Sequence, residues 1–161
     1  MTVSRVYIGL GSNLAEPMAQ VQQAITELAK LPDTELIAHS PWYCSTAVGP
    51  GQQPDYVNGV ACLDTFLPPE SLLDALQAIE RAHGRVRLEH WGPRTLDLDI
   101  LIYGNDIVDT ARLQIPHPWL THRNFVLLPL GDLAPDLILP DGTRIRELLH
   151  TISRAGITRF T

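Results

Sequence analysis

Lysine is almost absent from this chain: of its 12 basic residues, Lys30 alone is lysine and the rest are arginine. A guanidinium suits planar, two-pronged recognition of phosphate or carboxylate oxygens better than a generic solubilising surface does. Cysteine is scarce too. Cys44 and Cys62 share no metal-ligand or CxxC spacing, so reduced structural thiols are expected rather than a zinc site or a disulfide framework. No apolar run approaches the length that crosses a bilayer, and the first residues show no charged-then-apolar leader, so a cytoplasmic protein with no membrane partner is expected. Excess positive charge is also lacking. A net charge of −6 at pH 7 argues against a surface committed to nucleic acid, so any phosphate ligand should be small. Repeats, low-complexity tracts and linkers are absent. The 161 residues, 45% of them hydrophobic, are expected to form one domain over 1–161, acting as a monomer.

The patterning predicts an α+β fold. Arg5 to Leu10 reads as a first strand, ended by turn-forming Gly9, Gly11, Ser12 and Asn13. Pro17 opens a helix whose Met18, Val21, Ala24, Ile25, Leu28 and Leu31 recur at helical spacing until Pro32 and Asp33. A second strand is expected from about Glu35 to Tyr43, and a third over Tyr56 to Asp64. Between them, Gly49, Pro50, Gly51 and Pro54 make residues 45–55 a long loop of functional size. Pro68, Pro69 and Glu70 suit the first turn of a second helix, with Leu72, Leu76, Ile79 and His83 on one face up to Gly84. A fourth strand follows, from Thr95 to Tyr103. The order β-α-β-β-α-β is the ferredoxin-like arrangement of two helices on one side of an antiparallel sheet. A hairpin-and-loop addition over residues 103–118, a short helix from about Thr121 to Leu128 and a helical turn around Ile145 to Leu149 complete the chain.

The fourth strand carries the sharpest chemical signal. Leu96, Leu98, Ile100 and Ile102 are expected on one face, which leaves Asp97 and Asp99 together on the other. Positions two apart on a strand lie ~6.6 Å apart at Cα and point the same way. Two parallel carboxylates repel and are costly to bury without a cation between them, and hard divalent ions of the magnesium type take such oxygen ligands. An exposed edge strand, charged to discourage sheet-to-sheet association, would show the same pattern. Four arginines, Arg81, Arg85, Arg87 and Arg94, gather just upstream, and metal-type carboxylates beside an arginine cluster suggest bound polyphosphate. Gly9, Leu10, Gly11 lacks the further small residue of a dinucleotide fingerprint, and no Gly-Lys-Ser phosphate loop is present.

Several segments together resemble the 6-hydroxymethyl-7,8-dihydropterin pyrophosphokinases of folate biosynthesis: Gly11 to Leu14; Gln53 to Asn58; Gly84 to Arg87; Trp91 to Ile100; Pro116 and His117; and Arg123, Asn124, Phe125. The run from Trp91 to Asp99 is the most specific. The resemblance implies transfer of the terminal diphosphate of ATP to the hydroxymethyl group of the reduced pterin, with release of AMP. It implies that Asp97 and Asp99 hold two magnesium ions against the triphosphate, with Arg85 and Arg94 as phosphate clamps. It places Gln77, Glu80, Arg87, Trp91, Arg94, Ile100, Arg112, His117 and Arg123 around ATP. For the pterin it implies stacking by Tyr56 and Phe125, reading of the ring edge by Asn58, main-chain contacts near Ser45, Thr46 and Val48, and Trp91 as a cap. ATP and 6-hydroxymethyl-7,8-dihydropterin are then the partners, and Mg2+ the cofactor.

Without the resemblance, Gln77 and Glu80 read as an ordinary solvated helix face, Arg112 as a surface arginine, and Tyr56 and Phe125 as core. Three features depart from the family pattern: Ser45, Thr46, Ala47 lacks a proline common there, Pro118 replaces an aromatic found after the histidine in some members, and the arginine loop is about one residue short. A nucleotidyl transferase or cyclase with paired strand aspartates is the rival enzyme reading. A ferredoxin-like sensor or RNA-binding module is the non-enzymatic one, though the aromatic strand motif of RNA binding is missing.

Overall fold

The computed structural model of the protein describes residues 2–13, 16–46, 55–84 and 96–160. At its centre is an antiparallel sheet of six strands: β1 (Ser4–Ser12), β2 (Thr34–His39), β3 (Tyr43–Ser45), β4 (Tyr56–Thr65), β5 (Asp97–Tyr103) and, last in the chain, β8 (Ile157–Arg159). Across the sheet the order is β5-β1-β4-β3-β8, with β2 also paired to β4. The expected α+β ferredoxin-like core is present, with the two middle strands of the motif side by side and the first and last paired beside them.

Helices α1 (Pro17–Leu28) and α2 (Pro69–Ala82) cover one face of that sheet. Their buried stripes, Val21, Ala24 and Leu28 on α1 and Leu72, Leu76 and Ile79 on α2, pack on Val6, Ile8, Leu10, Ala61, Leu63, Leu98 and Ile100. Each helix opens with proline in its first turn, where the missing N–H costs nothing. Gly84, at φ +76, takes the left-handed conformation that stops α2.

The other face is covered over part of its area by α3 (Asn124–Leu133) and α4 (Ile145–Thr151), which bury Tyr7, Val60, Cys62, Leu101 and Ile102 with Val126, Leu127, Leu130 and Ile145. With its middle turns buried between sheet and α4, α3 tolerates Pro129 inside it. A Cβ on Gly131 would lie 2.5 Å from the end of the Leu149 side chain, so any larger residue there would have to displace Leu149 of α4. A two-stranded ribbon, β6 (Val108–Asp109) with β7 (Gln114–Ile115), and a 3-10 turn at Leu120–His122 link β5 to α3.

Four sequence expectations need correction. Gly9, Gly11 and Ser12 do not end the first strand; they lie within β1, Gly9 and Gly11 paired on both sides and Ser12 with Val57 of β4. The second strand is two strands, β2 and β3, interrupted at Ser40, Pro41 and Trp42, where proline cannot donate to a ladder. Ile102 does not share a face with Leu98 and Ile100. Tyr7 pairs with Ile102 and Ile8 with Ile100, so Leu101 is an extra residue that shifts the alternation; Leu101 and Ile102 both turn to the α3 side. The strand β8 has no counterpart in the sequence reading, because its three residues carry no alternation of their own.

Candidate active site

Three of the strands bring the site residues into register. Gly11 on β1 pairs with Asp97 on one side and Asn58 on the other, and Asn58 pairs in turn with Tyr43. One step along, Gly9 lies opposite Asp99 and Val60. Directly paired residues share a face, so Asp97, Gly11 and Asn58 form a row across the sheet on the side that α3 covers elsewhere. With neighbouring strands ~4.8 Å apart, Asp97 and Asn58 flank the glycine ~10 Å from one another at Cα. The glycines make the floor of a trough. A Cβ on Gly11 would lie 3.4 Å from Asn58 Oδ1 and 3.6 Å from the Tyr56 ring, so any larger residue would occupy the space these two groups face.

At the β5 side of the trough, Asp97 is half-buried and Asp99 exposed, with buried Leu98 between them facing the helices. Glu80 does not lie on a solvated helix face: it is 5% exposed, and its Oε2 accepts the Leu98 N–H at 2.8 Å. A carboxylate on α2 therefore fixes the backbone between the two aspartates. Ile100 is buried on the helix face, so its side chain points away from the trough. The donor set fits a hard divalent ion. No group of three or more His, Cys, Asp or Glu residues comes together among the described residues, so an ion held by Asp97 and Asp99 would complete its shell with phosphate oxygens and water, the habit of magnesium.

On the β4 side, Asn58 and Ser45 are both buried, and Asn58 Nδ2 donates to Ser45 Oγ at 2.6 Å. That bond takes one amide hydrogen and orients the group so that Oδ1 sits over Gly11. Tyr56, paired with Ser45, is half-buried beside it. Next to Ser45, the Thr46 N–H donates to the Gly156 carbonyl at 2.9 Å, which fixes the main chain at this end of β3.

A second group gathers before and at the start of α3. The Arg123 guanidinium lies over both the Trp119 ring, at 5.7 Å, and the Phe125 ring, at 5.6 Å. The His117 N–H donates to the Leu101 carbonyl at 2.9 Å, which ties this loop to β5 two residues beyond Asp99. Burial, helped by the Arg123 charge, pushes the His117 imidazole down to about 4, so the ring is neutral near pH 7. Its Nδ1 accepts the Trp119 N–H at 3.2 Å, which assigns the ring proton to Nε2. Arg112 donates to Gln77 Oε1 at 3.1 Å and pairs with Glu70 and Asp74, so Gln77 and Arg112 also meet.

Val48, Arg85, Arg87, Trp91 and Arg94 lie outside the described residues. Among those described, Trp119 and Gly9 with Gly11 were missed as site candidates. A signal existed for the glycines, since two of them at i and i+2 of a strand clear one face, but Trp119 is a lone exposed aromatic with nothing local to mark it.

A family model described as 7,8-dihydro-6-hydroxymethylpterin-pyrophosphokinase matches residues 7–135. A Pseudomonas aeruginosa protein named 2-amino-4-hydroxy-6-hydroxymethyldihydropteridine pyrophosphokinase is 57% identical over 158 residues, covering 98% of both chains. A Haemophilus influenzae protein of the same name is 51% identical over 143 residues, 89% of each. Among solved structures, an HPPK-DHPS in complex with substrates superposes with a TM-score of 0.73 at 13% identity, over 99% of this chain and 47% of that one. A Plasmodium falciparum HPPK-DHPS triple mutant gives 0.77 at 14% identity, over 98% and 45%. The chain thus spans a little under half the length of these solved relatives, and the likeness to them concerns the fold.

Proposed function

The chain belongs to the 7,8-dihydro-6-hydroxymethylpterin-pyrophosphokinase family, and on that premise we propose that it transfers diphosphate from ATP to the hydroxymethyl group of 6-hydroxymethyl-7,8-dihydropterin, a step of folate biosynthesis. The observation that carries this reading is the row Asp97, Gly11, Asn58 with Asp99 beside Gly9 in the next: a pair of carboxylates and a buried amide, held in register across two glycines. The pterin is a flat ring with amide-like edges. It suits a slot where Tyr56 and Phe125 offer faces, Asn58 Oδ1 accepts from the ring edge, and main chain near Ser45, Thr46 and Val48 adds contacts.

In the reaction the pterin hydroxyl oxygen bonds to the β-phosphorus of ATP, the bridging bond from that phosphorus to the α-phosphate oxygen breaks, and AMP leaves with that oxygen. The hydroxyl proton departs to water. Such transfers depend on positioning and charge neutralisation more than on a strong base. Asp97 and Asp99 would hold two magnesium ions, which supply neutralisation of the polyphosphate and acidification of the bound alcohol. Arg85 and Arg94 are the clamps on the transferred phosphates. Gln77, Glu80, Arg87, Arg112, His117 and Arg123 surround the nucleotide, and Ile100 can serve the adenine only through its main chain. Neutral His117 offers its Nε2–H as a hydrogen-bond donor without adding charge. Trp91 closes the site. No described helix is long and apolar enough to cross a membrane, and the protein acts as a cytoplasmic monomer of one domain, without nucleic acid.

Incubation with magnesium, ATP and hydroxymethyl-dihydropterin, with products separated by anion exchange, is expected to yield AMP and a diphosphorylated pterin. Release of inorganic diphosphate would instead mean attack at the α-phosphorus and a nucleotidyl transferase.

A further inference from the structure

The segment from Ser153 to Phe160 touches both sides of the slot assigned above to the pterin. Asn124, the residue before Phe125, gives both hydrogens of its side-chain amide to this segment: Nδ2 lies 2.9 Å from the Ser153 carbonyl and 3.0 Å from that of Ala155. Ser153 Oγ accepts the Ala155 N–H at 3.1 Å and tightens the turn. Gly156 follows at φ +73, and its carbonyl accepts the Thr46 N–H. The chain then runs antiparallel along β3, pairing Ile157 with Ser45, Thr158 with Cys44 and Arg159 with Tyr43, and closes with the Phe160 N–H on the Trp42 carbonyl at 3.0 Å. Tyr43 donates to Asp132 of α3, and Arg159 lies 3.9 Å from the same carboxylate. Without β8, β3 would be a three-residue edge strand, too short to hold its place on one ladder.

We propose that residues 153–160 act as a clasp that sets the gap between the Ser45 and Thr46 side of the pterin slot and its Phe125 side, making Asn124 and Gly156 positioning residues for pterin binding. The proposal rests on the pterin site assigned under Proposed function. Its effect should be selective. The clasp holds the β3 edge of the sheet, whereas the aspartates that would anchor the triphosphate stand on β5 at the opposite edge. Neither Asn124 nor Gly156 is a catalytic residue, since each acts through the residue it holds.

Two variants of the full chain load the clasp at its two ends. Asn124→Asp replaces two donors with acceptors facing two carbonyls; Gly156→Val forces a branched residue into a left-handed turn whose Cβ would lie 3.4 Å from Thr46 Oγ1. Each is expected to raise KM for the pterin about tenfold, as displacement of a binding group by a fraction of an ångström does, with KM for ATP and kcat within about threefold of the unaltered enzyme. If one variant fails to fold in a thermal melt, the other decides. Unchanged pterin KM in the folded variants, or equal loss in both KM values and kcat, would overturn the clasp. Tyr56→Ala separates this from the premise. If it raises pterin KM while the clasp variants do not, only the clasp falls; if it leaves pterin KM unchanged, the slot itself is misplaced and the clasp goes with it.

Discussion

The two faces of the central sheet are built on opposite principles within the same strands. Under α1 and α2 the layer is apolar through its middle, where Leu10, Val57 and Leu98 continue what Val6, Leu63 and Ile100 begin, with buried Ser12 and Thr65 toward its ends. On the other face, Tyr7, Val60, Cys62, Leu101 and Ile102 meet α3 and α4, and then the pattern changes to glycine, carboxylate and amide at Gly9, Gly11, Asp97, Asp99 and Asn58. Asp97 and Asp99 interleave with Leu98. Because side chains alternate, one strand can be anchored by burial on one side while it presents charge on the other. The bulge at Leu101 lets the same strand return two consecutive residues to the α3 side. A closed apolar face thus fixes the backbone from which the open face works.

Substitutions one residue apart should therefore fail in different ways. Asp97→Ala or Asp99→Ala is expected to cut turnover by about 10³-fold or more, since stabilising the charge that develops on the phosphates lowers the barrier more than any other effect in such chemistry. Melting temperature and pterin affinity should stay close to those of the unaltered protein, which isothermal titration with the pterin alone would check. Leu98→Ala, between them, should cost about 2–5 kcal/mol of stability with a much smaller change in kcat. Near-normal turnover in either aspartate variant would remove the two-carboxylate anchor; a large loss of activity in folded Leu98→Ala would mean that the two faces are not separable.

Gly11→Val probes the floor. A valine suits a paired strand, and β1 has no positive φ at this position, so the strand should hold while Asn58 and Tyr56 shift to admit the methyls. The valine Cβ would already lie 3.4 Å from Asn58 Oδ1 and 3.6 Å from the Tyr56 ring, so its methyls would press on the two groups assigned to the pterin. Pterin KM is expected to rise about 10- to 100-fold, as steric exclusion of a flat ring would require. Unaltered pterin KM would place the ring elsewhere.

This contrast explains what could be read in advance. Helical spacing in Val21, Ala24 and Leu28, and alternation about Leu98, gave the helix-covered face correctly, because burial on one side imprints periodicity. The carboxylates were visible as an interruption of that periodicity. Glu80 was not legible, because a glutamate at a helical polar position looks solvated until β5 brings the Leu98 N–H against it. Gly9 and Gly11 look like a turn in sequence because glycine signals both chain reversal and cleared space, and only pairing on both sides tells the two apart. The switch at Ile102 depends on one extra residue in a ladder, which follows from the partner strand and not from β5 itself. Trp119 and the contacts of Ser153 to Phe160 are long-range for the same reason.

The smallest expected effect concerns the loop that joins the open face to α3. The His117 imidazole is held in its neutral form, with its pKa near 4 in the folded protein against an ordinary 6.5. The unfolded chain therefore takes up a proton first as the solution is acidified, so this contribution to stability is complete above about pH 6.5 and is lost as pH falls toward about 4. Discounted for the ring's partial exposure, it amounts to about 1 kcal/mol, or roughly 4 °C in melting temperature. Carboxylates titrate in part of the same window, so the informative quantity is the difference between the unaltered protein and His117→Asn, whose side chain carries no charge at either end of the range. That difference should shift in favour of the variant between pH 6.5 and 4.5 and stay constant above pH 7. Parallel melting curves across the range would show that the neighbouring Arg123 and the burial of the ring do not hold His117 neutral, and the donor proposed for the nucleotide side would then be a charged one.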